Sequence, residues 1–244
     1  MADDVDPGVL RKEVPADRYD ELYRGAGAGR SYDAYDRQYW DSHYYPLYRA
    51  ALSEVVRLNG SSVLEVGCGS GSFAHLLLQR SSIAYHGFDF SAEAIRRAGQ
   101  RTGRPELFSI ARAEADTVNQ RPYDTIVCLE VLEHIERDVD VVANWPAGKR
   151  CVCSVPNFDQ ADHVRFFRHE DQVHERYGRY IELQEVRRIP RALIRGRGWR
   201  EYLRQLRWSR NDPHRLLGML GYKTFENLAG WLVFSGIRRD AKPS

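Results

Sequence analysis

Short apolar runs alternate with stretches of helical period through most of the chain. Runs at 62–67, 83–89, 107–111, 123–129 and 150–155 have strand length, and the last stops at Pro156. Helical spacing fills 72–80, a stretch opened by the N-cap residue Ser91, and 133–145. Ahead of these, Leu47 to Leu58 reads as a helix stopped by Asn59-Gly60. Behind them, Lys223–Leu228 and Trp231–Ile237 read as two strands turning through Ala229-Gly230. Strands alternating with helices predict an α/β fold. The sheet is doubly wound and mostly parallel, with helices on both faces and a C-terminal antiparallel hairpin.

The flanks differ in character. Residues 1–30 are polar and end in Gly25-Ala26-Gly27-Ala28-Gly29, which predicts a flexible N-terminal arm. Residues 31–59 form an aromatic helical region with Tyr32, Tyr35, Tyr39, Trp40, Tyr44, Tyr45 and Tyr48. It reads either as an amphipathic helix packed on the main domain or as a lid over a ligand, with Tyr39 and His43 facing the substrate. The domain proper spans 60–244 and carries a helical cap insertion at about 164–215. Within 165–215 there are 14 arginines, no lysine and seven acids. That excess reads as a solvated basic face or as a cap for an anionic substrate, since guanidinium forks match phosphate and carboxylate oxygens. The chain as a whole has 32 arginines and four lysines, so part of the excess is a habit of composition.

Bulk composition narrows the setting. Net charge is only +2, which does not call for a nucleic-acid partner. No apolar run approaches the ~18 residues of a membrane span. Cys68, Cys128, Cys151 and Cys153 fall in or beside apolar runs without a C-x-x-C pair, as expected of buried thiols in a cytoplasmic protein.

The sharpest local signal is Val63-Leu64-Glu65-Val66-Gly67-Cys68-Gly69-Ser70-Gly71, followed by Phe88-Asp89. A buried strand enters a glycine turn, a helix begins near Ser72, and a second strand ends in an acid. Backbone amides approach a ligand closely where no Cβ intervenes, and a helix start offers unpaired N–H groups. Asp89 lies 22 residues after Gly67, where a carboxylate reaches ribose hydroxyls. A nucleoside-containing ligand follows. Ser72 fits poorly the small residue that ends a dinucleotide fingerprint, which disfavours a nicotinamide-dependent oxidoreductase.

Leu64 to Gly71 resembles the first motif of class I S-adenosylmethionine (SAM) methyltransferases, a Rossmann-like family. Tyr123-Asp124-Thr125-Ile126-Val127-Cys128-Leu129-Glu130-Val131-Leu132-Glu133-His134-Ile135 resembles their fourth motif, closest to the ubiquinone-biosynthesis O-methyltransferases and their bacterial relatives. The resemblance covers residues 60–160 well, 216–239 loosely and little else. It implies SAM as methyl donor. Gly67, Cys68, Gly69 and Gly71 would shape the turn around the methionine part, with Glu65 near it. Asp89 would hold the ribose, Phe90 the adenine, and Leu129, Glu130 and Val131 would line the wall. The family often has an acid after its third strand. Here Arg112 stands there, and at the adenine either Glu114, beside Ala113, or backbone groups would take its place.

Methyl transfer needs a nucleophile about 3 Å from the methyl carbon in a dry site, and a hydroxyl acceptor must also lose its proton. His134 and His163 are the base candidates, with His43 a third. Asn157 and Arg165 join Tyr39 and His43 as substrate candidates, because the family places acceptor residues after its fifth strand. Glu130, Glu133 and His134 form E-x-x-E-H, whose members share one face of a helical turn. The motif looks like the metal-binding element of small-RNA 3′-terminal 2′-O-methyltransferases, and His163 could serve as their additional histidine. No metal is expected as a required part, and these residues would hold Mg²⁺, Mn²⁺ or Zn²⁺ if one binds. The expected enzyme methylates a small-molecule acceptor, most simply at oxygen. The rivals are an RNA ribose methyltransferase and a non-catalytic SAM-binding regulator.

Overall fold

The computed structural model describes residues 8–24, 38–114, 121–191 and 229–240, together with isolated positions between 199 and 217. Its elements are α1 (Ala16–Arg24), α2 (Tyr45–Arg57), β1 (Ser62–Val66), α3 (Ser72–Arg80), β2 (Ala84–Asp89), α4 (Ala92–Thr102), β3 (Phe108–Ile110), β4 (Thr125–Cys128), α5 (Asp138–Ala143), β5 (Arg150–Pro156), α6 (Glu170–Tyr177), β6 (Ile181–Pro190) and β7 (Gly230–Arg238). Single 3-10 turns stand at Tyr39–Asp41, Pro105–Leu107 and Leu132–His134.

One seven-stranded sheet runs in the order β3-β2-β1-β4-β5-β7-β6. The first five strands are parallel, and β7 lies antiparallel between β5 and β6. The chain reverses direction across the sheet between β1 and β4, so the carboxyl ends of β1, β2 and β4 open around one crevice. The doubly wound sheet expected from the pattern is therefore present. Apolar side chains fill both faces. Leu64, Val66, Ile126, Cys128, Cys151 and Phe234 pack on one, and Val63, Val127, Val152, Val233 and Trp231 on the other with α2 and α3.

Four expectations change. The hairpin that ends the sheet pairs β7 with β6, at 181–190, whereas 221–228 lie outside the described residues. Residues 181–190, expected in a helical cap, are thus an edge strand, and Val164, Phe167, Val173 and Tyr177 before it are core. The cause is its pattern: only Ile181 and Ile189 of ten strand residues are buried, so charge masks the strand. Next, the 133–145 stretch is not one helix but the 3-10 turn at Leu132–His134 followed by α5. Third, the part of the flexible arm that is described, 8–24, holds α1 and bonds to the domain at Val164, Asp159 and Glu136. Lastly, the described part of the aromatic region, from residue 38 on, starts with a 3-10 turn at Tyr39–Asp41, and its tyrosines 32 and 35 lie outside the described residues. Among the described residues no helix is long and apolar enough to cross a membrane.

Candidate functional site

The glycine turn is built by backbone geometry. Gly67, Gly69 and Gly71 all take positive φ, at 69°, 51° and 75°. A Cβ on Gly67 would lie 2.3 Å from Val131 Cγ2, so a side chain there would push the β4 loop away. Gly71 caps α3, and a Cβ on it would meet Ala98 of α4 at 2.9 Å. Its role is therefore to let two helices close up, and it does not line the cleft that its neighbours line.

Asp89 closes the turn from the end of β2. Its carboxylate accepts from Gly69 N at 3.0 Å and from Ser91 N at 2.9 Å, while Ser91 caps α4 through its hydroxyl. Burial pushes the Asp89 carboxyl up to about 6, against the lowering effect of those amides. Glu65, buried on β1, accepts a hydrogen bond from the Tyr85 hydroxyl. Desolvation raises it to about 8.

These groups face a cavity of about 190 Å³. One water occupies roughly 30 Å³ in the liquid, so this is a ligand cleft and not a packing defect. At one end it is lined by Glu65, Gly67, Cys68, Gly69, Asp89, Phe90, Ala113 and Glu114, and Leu129, Glu130 and Val131 form its wall. All of these are expected cofactor residues. At the other end stand His134, Asp162, His163, Gln160, Tyr19 and Glu13.

The second end is assembled from distant segments. Glu130 follows β4 with φ 58°, a left-handed backbone that a non-glycine residue adopts at a cost of about 1–3 kcal/mol. Ser154 of β5 holds it there: the Glu130 amide donates to Ser154 Oγ at 3.0 Å, and that hydroxyl donates to Glu130 Oε1 at 3.2 Å. His134 Nδ1 lies 2.9 Å from the Asp162 carbonyl, and His163 Nδ1 lies 3.2 Å from the Phe158 carbonyl. A carbonyl only accepts, so both rings carry their proton on Nδ1 and leave Nε2 bare. Their centroids are 5.0 Å apart. Burial lowers both imidazoles, and each is neutral at pH 7.

Glu133 is fully buried beneath them, and neither of its oxygens has a hydrogen-bond partner. Burial raises its pKa, with Glu130 adding to the effect. Donor atoms of Glu133, His134 and His163 lie within 4.8 Å of one another. An orphaned carboxyl beside two bare imidazole nitrogens suits a divalent cation chemically. Glu130 is not within the same reach, although its carboxyl, which accepts from Ser154 Oγ, neighbours that of Glu133.

Four expected substrate residues stand elsewhere. The Arg165 guanidinium is fully buried and does not face the cleft. It donates to the carbonyls of Leu132, Ile135 and Glu136 at 3.1, 2.5 and 2.7 Å and pairs with Asp138 at 3.1 Å. It braces the loop that carries His134. Tyr39 is buried and donates to Gln79 Oε1 at 2.8 Å. His43 packs on Tyr44 with centroids 4.0 Å apart, and burial lowers it to about 3, so it is no base for the cleft. Asn157 accepts from Gly230 N at 2.7 Å and joins β5 to β7. Conversely, Glu13, Tyr19 and Tyr23 line the cleft from a segment expected to be a free arm. No local motif marks them; the only signal was two tyrosines four residues apart.

Comparison with known proteins agrees with this geometry. A protein-family model for a methyltransferase domain matches residues 38–229. The ubiquinone biosynthesis O-methyltransferase of Xylella fastidiosa is 29% identical over 138 residues, covering 52% of this chain and 55% of that protein. The chain thus spans about half the length of the curated relatives it matches. Among solved structures, the [4+2]-cyclase SpnF superposes with a TM-score of 0.61 at 14% identity, covering 96% of this chain and 99% of the other. The N-methyltransferase NodS from Bradyrhizobium japonicum, solved with S-adenosyl-L-homocysteine (SAH), gives 0.53 at 18% identity, covering 91% and 98%. At such identities these two likenesses establish the fold alone.

Proposed function

Because the chain belongs to the methyltransferase-domain family, we propose that it is a SAM-dependent enzyme that methylates a hydroxyl of a small-molecule acceptor. The observation that carries this reading is one cleft lined both by the glycine turn with Asp89 and by the imidazoles of His134 and His163. SAM would supply a methyl group already activated on a sulfonium. The residues present fit it. Asp89 keeps lone pairs for ribose hydroxyls, Phe90 offers a ring face, and Glu65 is a buried acid able to ionise opposite a positive charge. His134 and His163 are the candidates to take the acceptor's proton at Nε2, and the enclosing tyrosines exclude water.

Arg165 no longer supports an anionic acceptor, since its charge is spent inside the protein. Around the described acceptor end the acids Glu13, Glu130 and Asp162 line the cleft, and the Arg11 guanidinium reaches the His163 carbonyl beside them. The four unpaired, buried cysteines support a cytoplasmic setting.

The test is calorimetry with SAM, SAH and NADH, followed by a complex with SAH. The expectation is that SAM and SAH bind and that NADH does not. NADH binding more tightly than SAM would sink the reading. If His134→Ala and His163→Ala both kept full activity, proton removal by either ring would be excluded.

A second reading has its own support in the Glu133, His134 and His163 group, which would hold a divalent cation against the acceptor oxygen. Calorimetry with Mn²⁺ on protein stripped by a chelator checks it, and heat unaltered by His163→Ala would argue against it. An RNA ribose acceptor would share these residues and would reveal itself as a steep fall of RNA binding with salt.

A further inference from the structure

The segment 8–24 lies ahead of the matched methyltransferase span at 38–229, yet it walls the cleft. Its first residues are fastened to the acceptor end. Leu10 N donates to the Val164 carbonyl at 2.6 Å. The Arg11 guanidinium forks onto Asp159 at 2.5 and 2.8 Å and reaches the His163 carbonyl at 3.3 Å. Glu13 and Glu136 exchange bonds, each side chain accepting from the other's amide. Beyond this clasp α1 crosses the cleft, and Asp20 accepts from the Ser91 hydroxyl beside the cofactor end.

Between the two fastenings stands Tyr19. Its ring meets the edge of Phe90 at 5.3 Å and of His134 at 5.9 Å, and its hydroxyl oxygen is 3.0 Å from His134 Nδ1. That nitrogen is also 2.9 Å from the Asp162 carbonyl. Only one assignment satisfies all three groups. Nδ1 keeps its proton and shares it between two acceptors, the Asp162 carbonyl and the Tyr19 oxygen. A Tyr19 hydroxyl donating to a bare Nδ1 would leave that nitrogen's lone pair facing the carbonyl.

We propose that Tyr19 is a positioning residue of the acceptor end, supplied by a segment outside the family match, which holds the His134 ring with Nε2 bare for the acceptor. The proposal rests on the methyltransferase reading for its purpose but not for its geometry. One acceptor on Nδ1 fixes the tautomer. A second, from another direction, fixes the plane of the ring.

The test uses the full chain with ¹⁵N-labelled imidazoles, freed of metal by a chelator and held above the pH at which histidines titrate. His134→Gln assigns the signal. Wild-type His134 is expected in the Nδ1-protonated form with narrow lines. In Tyr19→Phe, which keeps the ring against Phe90, the two nitrogen signals of His134 are expected to shift and broaden. Glu13→Ala, which opens the clasp without touching either ring, is expected to shift the same signals less. It carries the test if Tyr19→Phe fails to fold. His134 signals unchanged in Tyr19→Phe would overturn the proposal. So would an effect seen in Tyr19→Leu but not in Tyr19→Phe, which would assign the role to ring bulk and not to the hydroxyl. SAH failing to bind the wild type would instead defeat the methyltransferase reading and leave the His134 comparison standing.

Discussion

The two ends of the cleft are built in opposite ways. The end proposed for the cofactor comes from three adjacent strand ends, and its key bonds join residues about twenty apart, Asp89 to Gly69 and Tyr85 to Glu65. The end proposed for the acceptor is gathered from 13–23, 130–135 and 160–163, and bonds such as Tyr19 to His134 and Glu13 to Glu136 join residues more than a hundred apart. Sheet geometry fixes the first almost automatically, because the parallel register sets where each strand stops. The second depends on buried polar clamps that hold irregular backbone. One end is thus a property of the fold, and the other is a property of this particular chain.

The largest test of that contrast is Arg165→Met. It leaves Asp138 buried with only Arg176 and Tyr177 as partners and uncovers three loop carbonyls. A loss of about 3–5 kcal/mol in urea unfolding is expected. SAH affinity under native conditions should hold. If it collapsed too, the ends would not be separable.

Asp89→Ala should do the reverse. Losing charge-assisted bonds to a nucleoside costs roughly 1.5–3 kcal/mol each, so calorimetry should show SAH binding weakened about a hundredfold. The ring signals of His134 should stay in place.

Glu65→Gln sharpens the comparison through pH. The Glu65 carboxyl is raised from 4.5 to about 8, so the folded protein binds a proton that the unfolded chain releases. Its contribution is fully present below pH 4.5 and is lost as pH rises through about 8. Urea unfolding of the ligand-free protein should therefore lose stability over that window, and the variant should flatten the slope. An unchanged slope would mean that Glu65 ionises freely.

The smallest effect belongs to Ser154→Ala, which removes the hydroxyl that steadies Glu130 in its left-handed backbone. About 1 kcal/mol of stability is expected to go. The acceptor wall should loosen while SAH binding persists.

What the sequence disclosed follows the same division. The glycine turn, Asp89 and Leu129–Val131 were legible because each is punctuation at the end of an apolar run. Strand β6 was hidden because an edge strand with two buried residues has no apolar run to read. Arg165 looked like a ligand for anions because its real partners are carbonyls some thirty residues earlier, which no spacing rule reaches. Tyr19 and Glu13 escaped notice for the same reason: their partners lie more than a hundred residues away. Ser154 gave no sign that it would hold a strained glutamate across two strands.

The order of the strands bears on how the protein can be shortened. The span shared with the family stops at residue 229, and β7 begins at Gly230. Among the described residues that strand alone bridges β5 and β6. A fragment trimmed to the shared span would bare the inner edge of a parallel sheet, leave β6 with nothing to pair with, and remove Trp231, Leu232, Val233 and Phe234 from the interior. It would be a sticky, edge-exposed protein that aggregates before any activity could be sought. Studies of this protein in pieces must therefore carry the chain through at least Arg238.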